Sequence, residues 1–324
     1  MSVPKQKQRQ QRLNNKNKNG NQPCTNEKTG IPPAGSFHFG IKNQPCDLDE
    51  VIAMSVVQVG SLRIHYQSAG EGVPLVLLHG LGNNSQSWSR QYAGLKEHFH
   101  VIGWDTPGYG KSSDPDPEFR TFGELAEVLK GFLDALNLGP VYLLGHSMGS
   151  TLAMEFAAKY PEYLKALILA ASTRGGAAHP ESNEKKLKNR LNNIENLPPQ
   201  ELAELRTPAM FSPYASEELI AEAKGIMSQV RLAGYRSVAY SLYNADQTPL
   251  LASIKVPTML ICGEDDGVTP VAESKEVEQR IAGAALNLIP KAGHLCYMEQ
   301  PHMFNDLVRT FIEEREAAAK KGEA

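Results

Sequence analysis

The stretch from residue 141 to residue 161 constrains this chain most, because a glycine-flanked serine joins an apolar run to a helix-forming segment. The apolar run at 141–144 leads into Gly-His-Ser-Met-Gly at 145–149, and residues 151–159 favour a helix that ends before Pro161. Glycine on both sides removes the β-carbons that would collide in a sharp turn. The pattern predicts a strand, a tight turn and a helix, with the Ser147 hydroxyl held in a cleft as a nucleophile. The N–H groups at the start of that helix would face an anion formed there.

A serine nucleophile needs a base and an acid that orients the base, and the C-terminal third of the chain offers both. The apolar runs at 257–262 and 286–290 predict two strands. The loop after the second strand contains His294, between that strand and a C-terminal helix. Open parallel sheets place their sites at the carboxyl ends of their strands. We therefore predict that His294 is the base.

Three acidic residues follow the first of these strands: Glu264, Asp265 and Asp266. Asp266 comes third after the glycine that ends the strand, and the Val-Thr-Pro that follows turns the chain away. We therefore predict Asp266 as the acid of the triad.

An oxyanion that forms at the serine needs two N–H donors. The backbone of Met148 is the first candidate, and Leu81, in the loop after the apolar run at 76–78, is the second. His79 in that loop is expected to be a buried structural histidine. The loop at 105–112 is expected to be structural, with Asp105 bonding its N–H groups, and it lacks the glycine spacing of a phosphate loop.

Five motifs in this order resemble the α/β-hydrolase superfamily from about residue 54 to about residue 315. They are His-Gly at 79–80, the loop at 105–112, the serine turn at 145–149, the acid loop at 263–270 and Gly-His at 293–294. A serine at the turn separates this chain from relatives that use aspartate there, such as haloalkane dehalogenases and epoxide hydrolases. The stretch at 293–301 looks most like the esterase and 3-oxoadipate enol-lactonase-like branch.

The resemblance implies an α/β fold with a mostly parallel, eight-stranded sheet flanked by helices and an inserted helical cap. It implies a serine hydrolase, a carboxylesterase or lactonase, that cleaves esters or lactones of small to medium size through an acyl-enzyme. No cofactor and no metal are expected, and the partner is a small-molecule substrate. The alternative is a C–C bond hydrolase that acts on a ring-cleavage product with the same triad.

The pattern predicts three regions: a polar tail at 1–53, a hydrolase core at 54–173 and 249–324, and a helical cap at 174–248. No strand pattern occurs between 180 and 250, and Ser216 begins a helix with early acidic residues. The cap is rich in Met and Tyr and predicts an apolar pocket suited to short acyl chains. Seven Met, Phe and Tyr residues could line this pocket, although for each of them a role in holding the cap together is the simpler interpretation. They are Met210, Phe211, Tyr214, Met227, Tyr235, Tyr240 and Tyr243. No arginine is clearly directed at the pocket by the sequence, and Arg174 and Arg231 remain the possible partners of a charged dienoate.

Residues 1–30 consist mostly of Gln, Asn, Lys and Arg, a composition that buries too little apolar surface to order itself. Without an apolar segment the tail is not a signal peptide. We predict that residues 1–53 are dispensable, with Met54 a candidate translation start. Residues 1–53 hold eight basic and four acidic residues. This charge would suit contact with RNA or an anionic surface, but a passive tail is the simpler interpretation.

The four cysteines are Cys24, Cys46, Cys262 and Cys296, and their spacing matches no metal site. Free thiols favour a reducing, cytoplasmic location. No apolar run reaches the length of a membrane span, so no membrane partner is expected.

Overall fold

The computed structural model describes residues 52–322. Within them an eight-stranded sheet has the order β1-β2-β4-β3-β5-β6-β7-β8. The strands, in chain order, are β1 (Ala53–Val59), β2 (Leu62–Ala69), β3 (Pro74–Leu78), β4 (His100–Trp104), β5 (Val141–His146), β6 (Leu164–Ala170), β7 (Thr258–Gly263) and β8 (Ala285–Ile289).

The sheet is mostly parallel, as the sequence predicts. Strand β2 runs antiparallel to both of its neighbours, β1 and β4. All other neighbouring pairs are parallel. Strands β5 and β7 are buried along their whole length, which explains why they are continuous apolar runs rather than alternating ones.

Eleven α-helices accompany this sheet in the described residues. They are α1 (Ser89–Leu95), α2 (Phe122–Ala135), α3 (Met148–Lys159), α4 (Pro180–Asn196), α5 (Pro199–Arg206), α6 (Glu217–Met227), α7 (Leu232–Asn244), α8 (Thr248–Leu251), α9 (Val271–Glu278), α10 (Cys296–Glu299) and α11 (Pro301–Lys321). No helix within residues 52–322 is long and apolar enough to cross a membrane.

Helices α4 to α8 form the insertion between β6 and β7. Helix α6 begins where the sequence predicts, because the Ser216 hydroxyl accepts a hydrogen bond from the Leu219 N–H. The described part of the chain forms one compact unit in which the inserted helices and the sheet belong together. Helix α8 begins at Thr248, the last residue of the predicted cap, and ends at Leu251, so the predicted boundary falls within a helix. The division into cap and core stays a prediction.

The first strand begins earlier than the sequence predicts. The sequence alone predicts a leading hairpin with its first strand at 56–60, whereas β1 starts at Ala53, which pairs with Ser68. Met54 and Val56 are exposed on this edge strand, so hydrogen bonding to β2 rather than burial defines its start. The predicted end of the tail, between residues 53 and 54, therefore falls inside β1. The predictions for residues 1–51 lie outside the described residues.

Candidate active site

The turn at Ser147 has the strained geometry that its flanking glycines suggest. Ser147 adopts φ 53° and ψ −116°, between the end of β5 and the start of α3. A β-carbon on Gly145 would lie 2.2 Å from the Gly149 carbonyl oxygen, and one on Gly149 would lie 2.2 Å from the Leu78 carbonyl oxygen. The backbone of α3 therefore lies in close contact with β5 at Gly145 and with β3 at Gly149. A positive φ at a residue with a side chain costs free energy and is characteristic of functional sites.

His294 and Asp266 meet at the carboxyl ends of neighbouring strands. Asp266 follows β7 and His294 follows β8. The Nδ1 of His294 lies 2.9 Å from Oδ2 of Asp266. His294 is almost fully buried, and Asp266 is only 5% exposed. With Nδ1–H donating to the carboxylate, Nε2 carries the lone pair that a proton acceptor needs.

The Asp266 carboxylate is saturated with hydrogen bonds. Its Oδ1 accepts the N–H groups of Val268 and Thr269, both at 2.8 Å. The Thr269 hydroxyl lies 2.9 Å from Oδ2. Burial alone raises the pKa of Asp266, but His294 and these N–H donors outweigh it and hold the pKa below its ordinary value. The carboxylate is thus ionised and fixed in orientation. Asp265 and Glu264 make no side-chain hydrogen bond within residues 52–322.

Ser147 and His294 line the same cavity, of about 580 Å³. Small-molecule sites have volumes of this order, roughly 300–1,000 Å³. Across residues 52–322 no hydrogen bond joins the Ser147 hydroxyl to Nε2 of His294. Such contacts commonly tighten only when substrate binds.

Leu81 also lines this cavity, and Met148 is the first residue of α3. In the described part of the chain neither the Leu81 N–H nor the Met148 N–H has a hydrogen-bond acceptor. Two N–H groups without an acceptor, one beside Ser147 in the chain and one in a loop that lines the same cavity, are the number of donors that an oxyanion requires.

His79 and Asp105 have the structural roles that the sequence suggests. His79 is fully buried, with Nδ1 at 2.9 Å from the Gly80 carbonyl and Nε2 accepting the Thr106 N–H. Asp105 accepts the N–H groups of Ser85 and Lys111 and pairs with His65 at 2.7 Å. These bonds fix the two loops beside the cavity.

Two residues that sequence analysis did not single out support His294. The Nε2–H of His146 donates to the His294 carbonyl oxygen at 2.8 Å. The Glu299 carboxylate accepts the N–H of Gly293 and the N–H of Ser212, at 2.7 and 3.0 Å. Glu299 thereby ties the His294 loop to the chain before α6. A Glu five residues after the histidine carries no distinctive sequence signal.

The expected lining of Met, Phe and Tyr side chains is mostly wrong. Of the seven Met, Phe and Tyr candidates, only Met210 lines the cavity. Phe211, Met227 and Tyr235 are buried in the core, whereas Tyr214 is exposed. Leu205, Leu242 and Val268 are among the apolar residues that do line the cavity, and the polar face of α4 meets it as well. Lys186, Asn189, Arg190 and Asn193 line it from that helix, and Arg206 lines it from α5.

Arg174 and Arg231, the two arginines that the sequence offers as partners of a dienoate, instead bind other residues of the protein. The Arg174 guanidinium donates to both oxygens of Glu273, at 3.0 and 3.1 Å. Arg231 pairs with Asp114 and donates to the carbonyl oxygens of Gly110 and Ser112. Neither appears among the residues that line the cavity.

Comparison with known proteins agrees with this geometry. The sequence model of the alpha/beta hydrolase fold matches residues 73–301. The chain is 28% identical over 262 residues to a 2-hydroxy-6-oxo-6-phenylhexa-2,4-dienoate hydrolase of Comamonas testosteroni, covering 78% of this chain and 92% of that protein. It is 28% identical over 242 residues to 3-oxoadipate enol-lactonase 2 of Acinetobacter baylyi, covering 74% and 88%. A thermophilic esterase from Thermogutta terrifontis superposes with a TM-score of 0.75 at 26% identity, covering 81% of this chain and 99% of that one.

The fold, the strained serine turn and the His–Asp pair together define a hydrolase of the α/β class. The chain belongs to the alpha/beta hydrolase fold family.

Proposed function

We propose that this protein is a serine hydrolase that cleaves carboxylic esters or lactones of small to medium size. The observation that carries the proposal is the His294–Asp266 pair, 2.9 Å apart, on the cavity that Ser147 also lines. Ser147 attacks the substrate carbonyl, His294 takes its proton, and Asp266 holds the imidazole in position. The N–H groups of Leu81 and Met148 bind the oxyanion, and water then hydrolyses the acyl-enzyme. Nothing in this sequence of steps requires a cofactor.

Similarity to an enol-lactonase and to an esterase supports the choice of carboxylic esters and lactones. The cavity of about 580 Å³ suits a small or medium molecule. We also propose a cytoplasmic location, which the free thiols of Cys262 and Cys296 favour.

C–C bond hydrolysis with the same triad is the second candidate. Arg190 and Arg206 on the cavity lining favour it, because a ring-cleavage dienoate carries a carboxylate that they could bind. The similarity to a dienoate hydrolase points the same way.

The test of the triad is single substitution combined with covalent labelling. Ser147→Ala, His294→Ala and Asp266→Asn should each lower kcat for an activated aryl ester by about 10³-fold or more, with losses that do not add, because the three side chains act as one unit. Asp265→Asn is the matched control and should retain activity. A phosphonate inhibitor should label wild-type protein at Ser147. An active Asp266→Asn variant would remove the assigned acid.

A substrate panel separates the two candidate reactions. Short-chain 4-nitrophenyl esters, simple lactones and a ring-cleavage dienoate should be compared by kcat/KM. Esters or lactones should be the better substrates, and C2–C6 acyl chains should exceed C12. A dienoate rate far above every ester rate would replace ester cleavage by C–C cleavage.

A further inference from the structure

Two arginines on neighbouring inserted helices share the cavity with Ser147 and His294. Arg190 lies on α4, and Arg206 is in the last turn of α5. Both residues are of intermediate burial, and both line the cavity. Arg190 and Arg206 therefore border the space that a substrate would fill.

The cavity lining has an excess of positive charge. Lys186 adds a third cation, and Glu273 is the one carboxylate among the lining residues that the structure describes. Glu273 is already neutralised, because Arg174 binds both of its oxygens and Nε2 of His179 lies 3.1 Å away. The charges of Arg190 and Arg206 are thus uncompensated within the lining.

Neither guanidinium has a hydrogen bond or ion pair to any other residue among 52–322. Arg206 lies over the ring of Tyr235, with 5.5 Å between Cζ and the ring centroid. This cation–π contact is not a hydrogen bond, so the N–H groups of the guanidinium remain available to a ligand. Burial, reinforced by the charge of Arg190, lowers the pKa of Arg206 to about 10. Burial also lowers the pKa of Arg190. Both charges are therefore held without a counter-ion, and a bound anion would stabilise them.

The polar face of α4 supplies further donors. Lys186, Asn189, Arg190 and Asn193 recur at helical spacing and all line the cavity. An adjacent stripe of the same helix buries Leu187 and Ile194. The helix thus turns amide, ammonium and guanidinium groups toward the cavity.

We propose that Arg190 and Arg206 form a carboxylate-binding subsite of this cavity, so that the substrate is an ester or lactone bearing a second, free carboxylate. The proposal rests on the ester- or lactone-cleaving function argued above. The guanidinium fork matches the two oxygens of a carboxylate. A cavity of about 580 Å³ has room for both an ester group and an acid group.

The first test compares two aryl esters of equal chain length that differ in charge. Wild-type kcat/KM for 4-nitrophenyl hydrogen adipate should exceed that for 4-nitrophenyl hexanoate by about 10-fold or more, as expected for charge-assisted hydrogen bonds. Arg190→Gln and Arg206→Gln should each reduce that ratio about 10-fold. The ratio cancels any general loss of activity in the variants. Lys188→Gln is the matched control on α4: it pairs with Glu184, lies outside the cavity lining and should keep the wild-type ratio.

A wild-type ratio near 1, or a ratio that neither arginine substitution changes, would overturn the subsite. Replacing the carboxylate by a phosphonate tests which oxyanion is preferred. The phosphonate ester should be the poorer substrate. A more than 10-fold preference for it would overturn the assignment to carboxylate.

A binding measurement separates the subsite from the catalytic proposal. Calorimetric titration of the Ser147→Ala protein with adipate should show binding that Arg190→Gln and Arg206→Gln weaken about 10-fold and Lys188→Gln does not. Ester turnover that is absent in wild type, with this binding intact, would reject the proposed function and keep the subsite. Ester turnover without arginine-dependent adipate binding would reject the subsite and keep the proposed function.

Discussion

At the scale of single residues, the turn around Ser147 depends on how closely two backbones approach. Ser147 holds φ 53° where α3 lies against β5 at Gly145 and against β3 at Gly149. Each glycine faces a carbonyl oxygen that cannot move without shifting a strand or a helix. The strain at the serine is therefore maintained by the packing on either side of it.

Gly149→Ala should destabilise the protein and abolish hydrolysis. Its new β-carbon would lie 2.2 Å from the Leu78 carbonyl oxygen, a clash that we expect to cost about 3 kcal/mol or more. Thermal unfolding should show a Tm lower by about 6 °C or more. Gly225→Ala is the matched control, for which no loss of stability is expected. A β-carbon at Gly225 meets nothing within 4 Å, and Gly225 lies in α6. It should be neutral or stabilise by up to about 1 kcal/mol. Equal Tm values for the two variants would contradict the close approach at the turn.

Some residues of this site could be predicted from the sequence, and others could not. Asp266 could be selected because its place after the strand-ending glycine fixes where its side chain emerges, and its carboxylate is the one that meets His294. His146 and Glu299 could not, since both act by bonding the backbone around His294. Sequence patterns report which side chains are buried, but not which backbone groups they reach.

At the scale of elements, strands were easier to predict from the sequence than the orientation of inserted helices. A parallel strand buried on both faces leaves a continuous apolar run, as in β5 and β7. A polar helix face, by contrast, has the same pattern whether it faces bulk water or an internal cavity. The polar face of α4 therefore gave no sequence signal, and the predicted lining of Met and Tyr side chains was mostly wrong.

The N-terminal edge strand allows a sharp test of where the hydrolase begins. A protein that starts at Met54 keeps six of the seven residues of β1, losing only the Ala53–Ser68 pair. Its Tm should stay within about 2 °C of full length and its kcat/KM within about twofold, because an end residue of an edge strand contributes little.

A protein that starts at Gly60 is the matched comparison for this truncation. It loses the whole of β1, which exposes the edge of β2 and removes Val59 from its contact with α2 at Gly131. It should unfold at a clearly lower temperature or aggregate. A large loss in the Met54 variant would show that residues 1–53 are needed, against the prediction from their composition.

At the scale of the whole molecule, several buried groups make the fold sensitive to acid. Burial, with the charge of His294 adding to it, lowers the pKa of His146 to about 3. Burial also lowers the pKa of His79. For Asp105 and Asp266 burial raises the pKa, but their hydrogen bonds outweigh it and both pKa values lie below the ordinary range. All four groups bind protons more readily in the unfolded chain than in the folded one.

The free energy of unfolding should therefore fall as the pH is lowered, first through the histidines and then through the carboxylates. An unfolded histidine titrates near pH 6.5, so between about pH 6.5 and 3 the unfolded chain holds a proton at His146 that the folded chain does not. His146 alone should then cost about 2 kcal/mol of stability at pH 5 relative to pH 7. The carboxylates contribute only below about pH 4, where unfolded aspartates take up protons.

Denaturant unfolding at pH 7, 6 and 5 measures this slope directly. His146→Gln should flatten the decline between pH 7 and 5, whatever it costs at pH 7, because it removes the group that the unfolded chain protonates. His302→Gln changes an exposed histidine on α11 and should keep the wild-type slope. A His146→Gln protein with an undiminished slope would mean that the acid sensitivity has another source. The role of the His146 ring would then be limited to its hydrogen bond with the His294 carbonyl oxygen.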